Sequence, residues 1–154
     1  MSPIIAANWK MNLTQPEASA LIQSINLTMD GLSNVELIIC PSHCYLGLAH
    51  SELAKGQIAA QNISEYAKGA YTGEISAEIA KSCGATYALL GHSERRHVFH
   101  ETNDMIRQKL ALCDQVGLTP IEVYSSPIPR TNPEIMRPPV TTSSIATSSA
   151  TLRG

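Results

Sequence analysis

A chain of 154 residues, 44% of them hydrophobic and 16% charged, holds enough apolar material for one domain with its own core. Its formal net charge of −2 and pI near 6.2 leave no electrostatic footprint for nucleic acid or an anionic bilayer. With no Lys/Arg-rich run and no apolar stretch of membrane-spanning length, neither nucleic acid nor a membrane is the expected partner.

The opening residues, MSPIIAANWKMN, lack a basic leader region, and Asn8, Trp9 and Lys10 break their short apolar run. A cytoplasmic protein without a signal peptide is therefore expected. IIAANW at 4–9 reads as a strand. A helix over 16–30 follows, with Thr14 as its cap, Pro16 in its first turn and Gly31 as its stop. The same alternation repeats: VELIIC at 35–40 before a helical pattern at 44–55, QIAAQN at 57–62 before 76–83, and TYALLG at 86–91 before 102–116. LTPIEV at 118–123 starts a fifth strand. Strands apolar on both faces, alternating with helices, predict an α/β fold with a parallel sheet of about four βα units and the start of a fifth strand.

From about Tyr124 the character changes: SSPIPRTNPEIMRPPVTTSSIATSSATLRG holds five of the nine prolines, and no apolar period survives. A domain over 1–123 and a disordered Ser/Thr/Pro-rich tail over 124–154 are expected, because the tail has too little apolar surface to offset the entropy of ordering it. The alternative, a Pro-rich ligand for an SH3 or WW groove, needs a regular PxxP frame with flanking aromatics.

Cys40, Cys44, Cys83 and Cys113 lie in strand-like or helix-like settings and are expected to be buried thiols. In the same compartment the N-x-S/T triplets at Asn12, Asn26 and Asn62 stay unglycosylated. A metal reading has two starting points, His92 with His97 and His100, and CPSHC at 40–44, but neither spacing is a zinc pattern. No metal is expected.

In a parallel sheet, chemistry gathers where strands end and helices begin, since backbone N–H groups and helix dipoles point there. The candidates are Asn8 and Lys10 after the first strand, His43 after the second, Gln61 and Asn62 after the third, and His92, Ser93 and Glu94 after the fourth. Ser93 can cap a short helix beginning SERR, whose N-terminus disfavours an imidazolium at His92.

AANWKMN at 6–12, AAQNIS at 59–64, GAYTGEISAEIAKSCGATYALLGHSERR at 69–96 and the helix with GLTPI that ends at Ile121 resemble triosephosphate isomerase, in order and over residues 3–121. The resemblance implies an incomplete (β/α)8 TIM barrel and an isomerase of triose phosphates in glycolysis and gluconeogenesis that uses no cofactor. It makes Lys10 and His92 catalytic, Lys10 as a point charge near the phosphate and the developing enediolate, and His92 as the electrophile. In this family, as is already established for it, a neutral imidazole polarises the carbonyl while a glutamate moves the proton. Asn8, Ser93 and Glu94 fall at the substrate site, with Glu94 holding Lys10 through a charge-assisted hydrogen bond. Thr72 lies in a loop that in the family projects into the neighbouring subunit of a homodimer, and Gln61 and Asn62 brace that arrangement. Arg95 and Arg96 read as structural, pairing with acidic groups.

The family barrel runs to about 250 residues. From Glu122 the family pattern gives way to PIEVYSSPIPR, and the catalytic glutamate, lid loop and glycine-rich phosphate site have no counterpart. Such a switch is what a frameshift, an alternative splice or a gene-model error produces. Glu94 is the only carboxylate expected near Lys10 and His92, so this chain alone is expected to be inactive and its dimerisation is doubtful. Its interior side chains should face water beside two open edge strands. The alternative function is that of a non-catalytic fragment that docks on intact isomerase subunits through the loop at 63–76.

Overall fold

Strands and helices alternate along residues 3–123, the part of the chain that this computed structural model describes. The order is β1 (Ile4–Asn8), α1 (Gln15–Asp30), β2 (Glu36–Cys40), a 3-10 turn (His43–Tyr45) leading into α2 (Leu46–Glu52), β3 (Gln57–Ala60), α3 (Ala77–Ser82), β4 (Tyr87–Leu90), α4 (Ser93–His97), α5 (Asn103–Val116) and β5 (Thr119–Glu122). The tail predicted over 124–154 lies outside the described residues. No helix among the described residues is long and apolar enough to cross a membrane.

Local chemistry sets the helix ends. At α1 the Thr14 backbone N–H and hydroxyl both donate to Glu17 Oε2 at 2.7 Å, and Pro16 sits in the first turn. α3 and α5 start on Ser76 and Thr102, whose hydroxyl oxygens accept the N–H of Ile79 at 3.1 Å and of Met105 at 3.2 Å. α5 ends on Gly117 in the left-handed conformation, with φ 71°.

The five strands pair in sequence order, all parallel, with register Asn8↔Cys40, Ala60↔Ala88 and Leu90↔Glu122 near their C-terminal ends. Alternate side chains go to opposite faces. Ile39, Ile58, Ala60, Ala88 and Leu90 pack outward against Ala18 and Ile22 of α1, Leu46 and Ala49 of α2, and Ile106 and Cys113 of α5. Each fully buried Ile or Leu here contributes roughly 1.5–3 kcal/mol of transfer free energy. Pro120, which has no N–H to give, sits in β5, an edge strand of the described sheet.

The sheet curls into half a barrel, and this changes the expectation for its inner face. Ile38, Cys40, Ala59, Leu89 and Ile121 form a second buried cluster on the concave side, with Ile4, Ala6, Tyr87 and Val123 partly buried around it. Curling brings the inner side chains of neighbouring strands together, so they do not face water as predicted. The cysteines divide as well: Cys40 and Cys113 are buried, and burial pushes both thiols up to about 12. Cys83 is half-buried and Cys44 is exposed, the latter lying in the 3-10 turn beyond the buried end of β2.

Gly84 closes the turn from α3 to β4 with φ +94°, and a Cβ there would stand 2.3 Å from the His50 ring. Gly84→Ala is expected to cost more than about 1 kcal/mol, through left-handed strain and displacement of His50. The urea midpoint measures it, and an unchanged midpoint would show that His50 yields freely.

Candidate functional site

Because all five strands run the same way, the segments that follow β1 to β4 meet on one rim. A cleft of about 300 Å³ opens there, lined by Asn8, Lys10, His43, Gln61, Asn62, His92 and Glu94 together with Glu74, Arg95 and Phe99. Two predicted residues stand apart from that lining. Ser93 faces solvent, and Thr72 is exposed on the loop whose Gly73–Ile75 stretch forms one wall of the cleft.

Lys10 is the best-defined member. Its backbone is left-handed, with φ 56°, which is uncommon for a residue with a side chain and costs of order 1–3 kcal/mol. Hydrogen bonds hold it there: the Lys10 N–H donates to Asn8 Oδ1 at 3.0 Å, and the Lys10 carbonyl accepts from Gln61 Nε2 at 2.8 Å and Ser42 Oγ at 3.1 Å. Gln61 also donates to the Cys40 carbonyl at 2.9 Å, joining the ends of β1, β2 and β3.

The Lys10 side chain crosses the rim to Glu94 Oε1 at 2.6 Å. That hydrogen bond from Lys10, more than the nearby charges, holds the Glu94 carboxyl below its ordinary value. Both side chains are more than a third exposed, so solvent screening keeps the pair's stability contribution small. Its sign follows from the lowered pKa: the contribution is present above the ordinary value of 4.5 and is lost as pH falls through the lowered folded value.

His92, not Ser93, caps α4: its Nδ1 accepts the Glu94 N–H at 3.3 Å, while Ser93 is the first helical residue. The imidazole reaches the orphan N–H that a serine hydroxyl was expected to take. A ring nitrogen that accepts an N–H carries no proton, so this arrangement goes with a neutral ring whose Nε2 bears the hydrogen. The same Nδ1 lies 3.5 Å from Glu94 Oε2, a contact that becomes an ion pair only on protonation.

The wall beyond His92 holds charges that sequence reading left unassigned. Lys109 and Glu101 are both buried, with Lys109 Nζ donating to Glu101 Oε1 and, at 2.9 Å, to Asn62 Oδ1. Arg95 lies 4.7 Å above the Phe99 ring and 4.0 Å from Glu101, so its predicted acidic partner is Glu101. Arg96 departs from expectation: it donates to the Gly91 carbonyl at 2.9 Å and to Asn103 Oδ1 at 2.8 Å, because the sharp turn at Gly91 presents its carbonyl to the guanidinium. His43 is half-buried with Nε2 unpartnered, and burial pushes its pKa down against an opposing backbone hydrogen bond with Asn62. Glu94 is not the only carboxylate here, since Glu74 lines the same cleft. The signal for Lys109 was its position: with Ile106, Leu110 and Cys113 it lies on the apolar stripe of α5, where a charge needs a buried partner. Among the described residues, no three His, Cys, Asp or Glu side chains group as a metal ion would require.

Comparison with known proteins agrees with the fold. A family model described as triosephosphate isomerase matches residues 3–124. The chain is 39% identical over 121 residues to the triosephosphate isomerase of Endomicrobium trichonymphae, covering 77% of this chain and 48% of that protein. It is 40% identical over 122 residues to that of Symbiobacterium thermophilum, covering 78% and 48%. The crystal structure of triosephosphate isomerase from Bartonella henselae superposes with a TM-score of 0.73 at 33% identity, over 79% of this chain and 51% of that one. The chain thus spans about half the length of the curated relatives it matches.

Removing one member of a buried ion pair leaves the other uncompensated, so Lys109→Met is expected to cost about 3–5 kcal/mol in urea unfolding. Lys109→Met combined with Glu101→Leu should recover part of that loss; a double variant no more stable than the single would show that Asn62 and packing dominate.

Proposed function

The chain belongs to the triosephosphate isomerase family, and on that premise we propose that its rim cleft is the substrate site of a triosephosphate isomerase, interconverting dihydroxyacetone phosphate and glyceraldehyde 3-phosphate in glycolysis and gluconeogenesis. The observation that carries this reading is that Asn8, Lys10 and His92 line one cleft, with the Lys10 ammonium fixed by Glu94. In the proposed roles, Lys10 attracts the phosphate and balances charge on the enediolate, and the Nε2–H of neutral His92 polarises the carbonyl. Asn8 and Glu94 hold Lys10, Ser93 starts the helix beneath the site, and Gln61, Asn62 and Thr72 support it. The chemistry calls for no cofactor, and the setting is cytoplasmic.

Isomerisation also needs a base to take the proton beside the carbonyl, a contribution of about 10²–10⁴-fold. Glu94 is committed to Lys10, and Glu74 is exposed on the loop wall of the cleft, so both are poor candidates. The 154-residue chain alone is therefore proposed to be inactive, and to join in catalysis when the later βα units of the family complete the barrel. A second reading is that the chain docks on intact isomerase subunits through the loop at 63–76. It is favoured by the loop's own order: the Ser64 N–H donates to the Ile75 carbonyl at 2.8 Å, and Tyr66 stacks on Tyr71 with centroids 3.9 Å apart. The family's homodimer is the template for that contact.

A coupled assay on the purified chain, with Lys10→Met and His92→Ala to exclude host isomerase, tests these readings. The chain alone should show no turnover, whereas turnover that both substitutions abolish would overturn the proposed inactivity. Mixed with a fragment supplying the later units, the parent should turn over and His92→Ala should lose about 10²–10³-fold in kcat. Complemented activity indifferent to both substitutions would overturn the assigned roles. For docking, a heterodimer with intact isomerase at micromolar concentration supports it, and separate elution sinks it.

A further inference from the structure

The segment after β1 carries more strain than the ammonium of Lys10 alone explains. Lys10 and Leu13 are both left-handed, with φ 56° and 72°, and neither is a glycine. Such residues persist only where surrounding bonds over-determine them. Besides Asn8 and Gln61, which hold Lys10, two bonds come from the connection after β2. Ser42 Oγ donates to the Lys10 carbonyl at 3.1 Å, and Tyr45 Oη donates to the Leu13 carbonyl at 3.2 Å. The two donors thus take hold of the two left-handed residues at either end of the turn. Both flank or lie within the 3-10 turn His43–Tyr45, which leads directly into α2 and is anchored by buried Leu46.

We propose that Ser42 and Tyr45 are positioning residues for Lys10: they clamp the 10–13 turn in its left-handed form and thereby aim the ammonium across the rim at Glu94. Neither side chain lines the cleft; Ser42 acts through the Lys10 backbone and Tyr45 through the Leu13 backbone. The inference deepens the isomerase reading, on which the value of a fixed Lys10 rests, and it predicts that the Lys10–Glu94 bond loosens when either hydroxyl is removed even though both charges remain.

The ionisation of Glu94 reports that bond without any need for turnover. The Lys10 hydrogen bond is the largest influence lowering the Glu94 pKa. His92 faces Glu94 from the cap of α4, and Arg95 lines the same cleft. Carbon-13 labelling of glutamate carboxyls, with Glu94→Gln to assign the resonance, gives its titration midpoint in the full chain by NMR. Ser42→Ala and Tyr45→Phe should each move that midpoint upward, toward the value in Lys10→Met. Ser42→Thr keeps a hydroxyl and should restore the parent midpoint, and Ser51→Ala, whose hydroxyl bonds only within α2, should not move it.

Amide spectra matching the parent outside residues 8–13 and 42–45 show that the fold survives. A Glu94 midpoint unchanged in both Ser42→Ala and Tyr45→Phe overturns the proposal, as does an upward shift that Ser42→Thr fails to reverse. If a variant loses its fold, Ser42→Thr and Tyr45→Phe decide alone, because they retain the hydroxyl or the ring that fills the site. Failure of the isomerase reading would appear elsewhere, as complemented activity indifferent to Lys10→Met, and would leave this titration interpretable.

Discussion

The contact between Lys10 and Glu94 can form only if the sheet curls. The two residues are 84 positions apart and follow β1 and β4, three strand spacings from one another. Neighbouring strands lie about 4.8 Å apart, so in a flat sheet these strand ends would be separated by roughly 14 Å. The half-barrel shortens that span across its concave side until the ammonium and carboxylate meet at 2.6 Å. The curled inner face is packed by Ile38, Cys40, Ala59, Leu89 and Ile121, with Ile4, Ala6, Tyr87 and Val123 around them. Packing on the inner face and charge geometry on the rim are therefore one problem.

The rim divides its charges by solvent access. Lys10 and Glu94 are partly exposed and screened, so their pairing contributes geometry more than stability. Lys109 and Glu101 lie below the same surface with almost no exposure, where leaving either charge unpaired would be costly. Asn62 links the two levels, since it lines the cleft and accepts from Lys109. Its side chain reaches down to a buried cation, while its backbone bonds His43 on the rim.

Much of this was legible in the sequence, and the reasons are specific. The strands are short apolar runs cut off by polar residues, and the helices carry Thr14, Ser76 and Thr102 at their starts, so both kinds of element announced themselves. The rim set of Asn8, Lys10, Gln61 and His92 followed from parallel strands ending on one side. What stayed hidden depends on backbone conformation and on long-range pairing. No pattern says that Lys10 and Leu13 are left-handed, because neither is a glycine. Nothing local distinguishes Ser93 from His92 as a cap, since the choice rests on an imidazole turning back on its own helix. Exposure of Cys44 follows from a 3-10 turn that the apolar pattern reads as the start of a helix.

The isomerase chemistry proposed for the cleft makes asymmetric demands on it. Polarising a carbonyl and attracting a phosphate require fixed donors and a fixed positive charge, and both can be supplied by groups whose valences are already engaged: His92 gives up Nδ1 to the Glu94 N–H and keeps Nε2 free, while Lys10 bonds Glu94 and still presents its charge. Removing a proton is different, because a base must offer a free lone pair at the carbon. Glu94 cannot hold Lys10 and serve as that base at once, and protonating it would undo the bond that fixes the lysine. On the proposed reading, the bond that fixes the Lys10 ammonium is therefore the same one that keeps Glu94 from serving as the base.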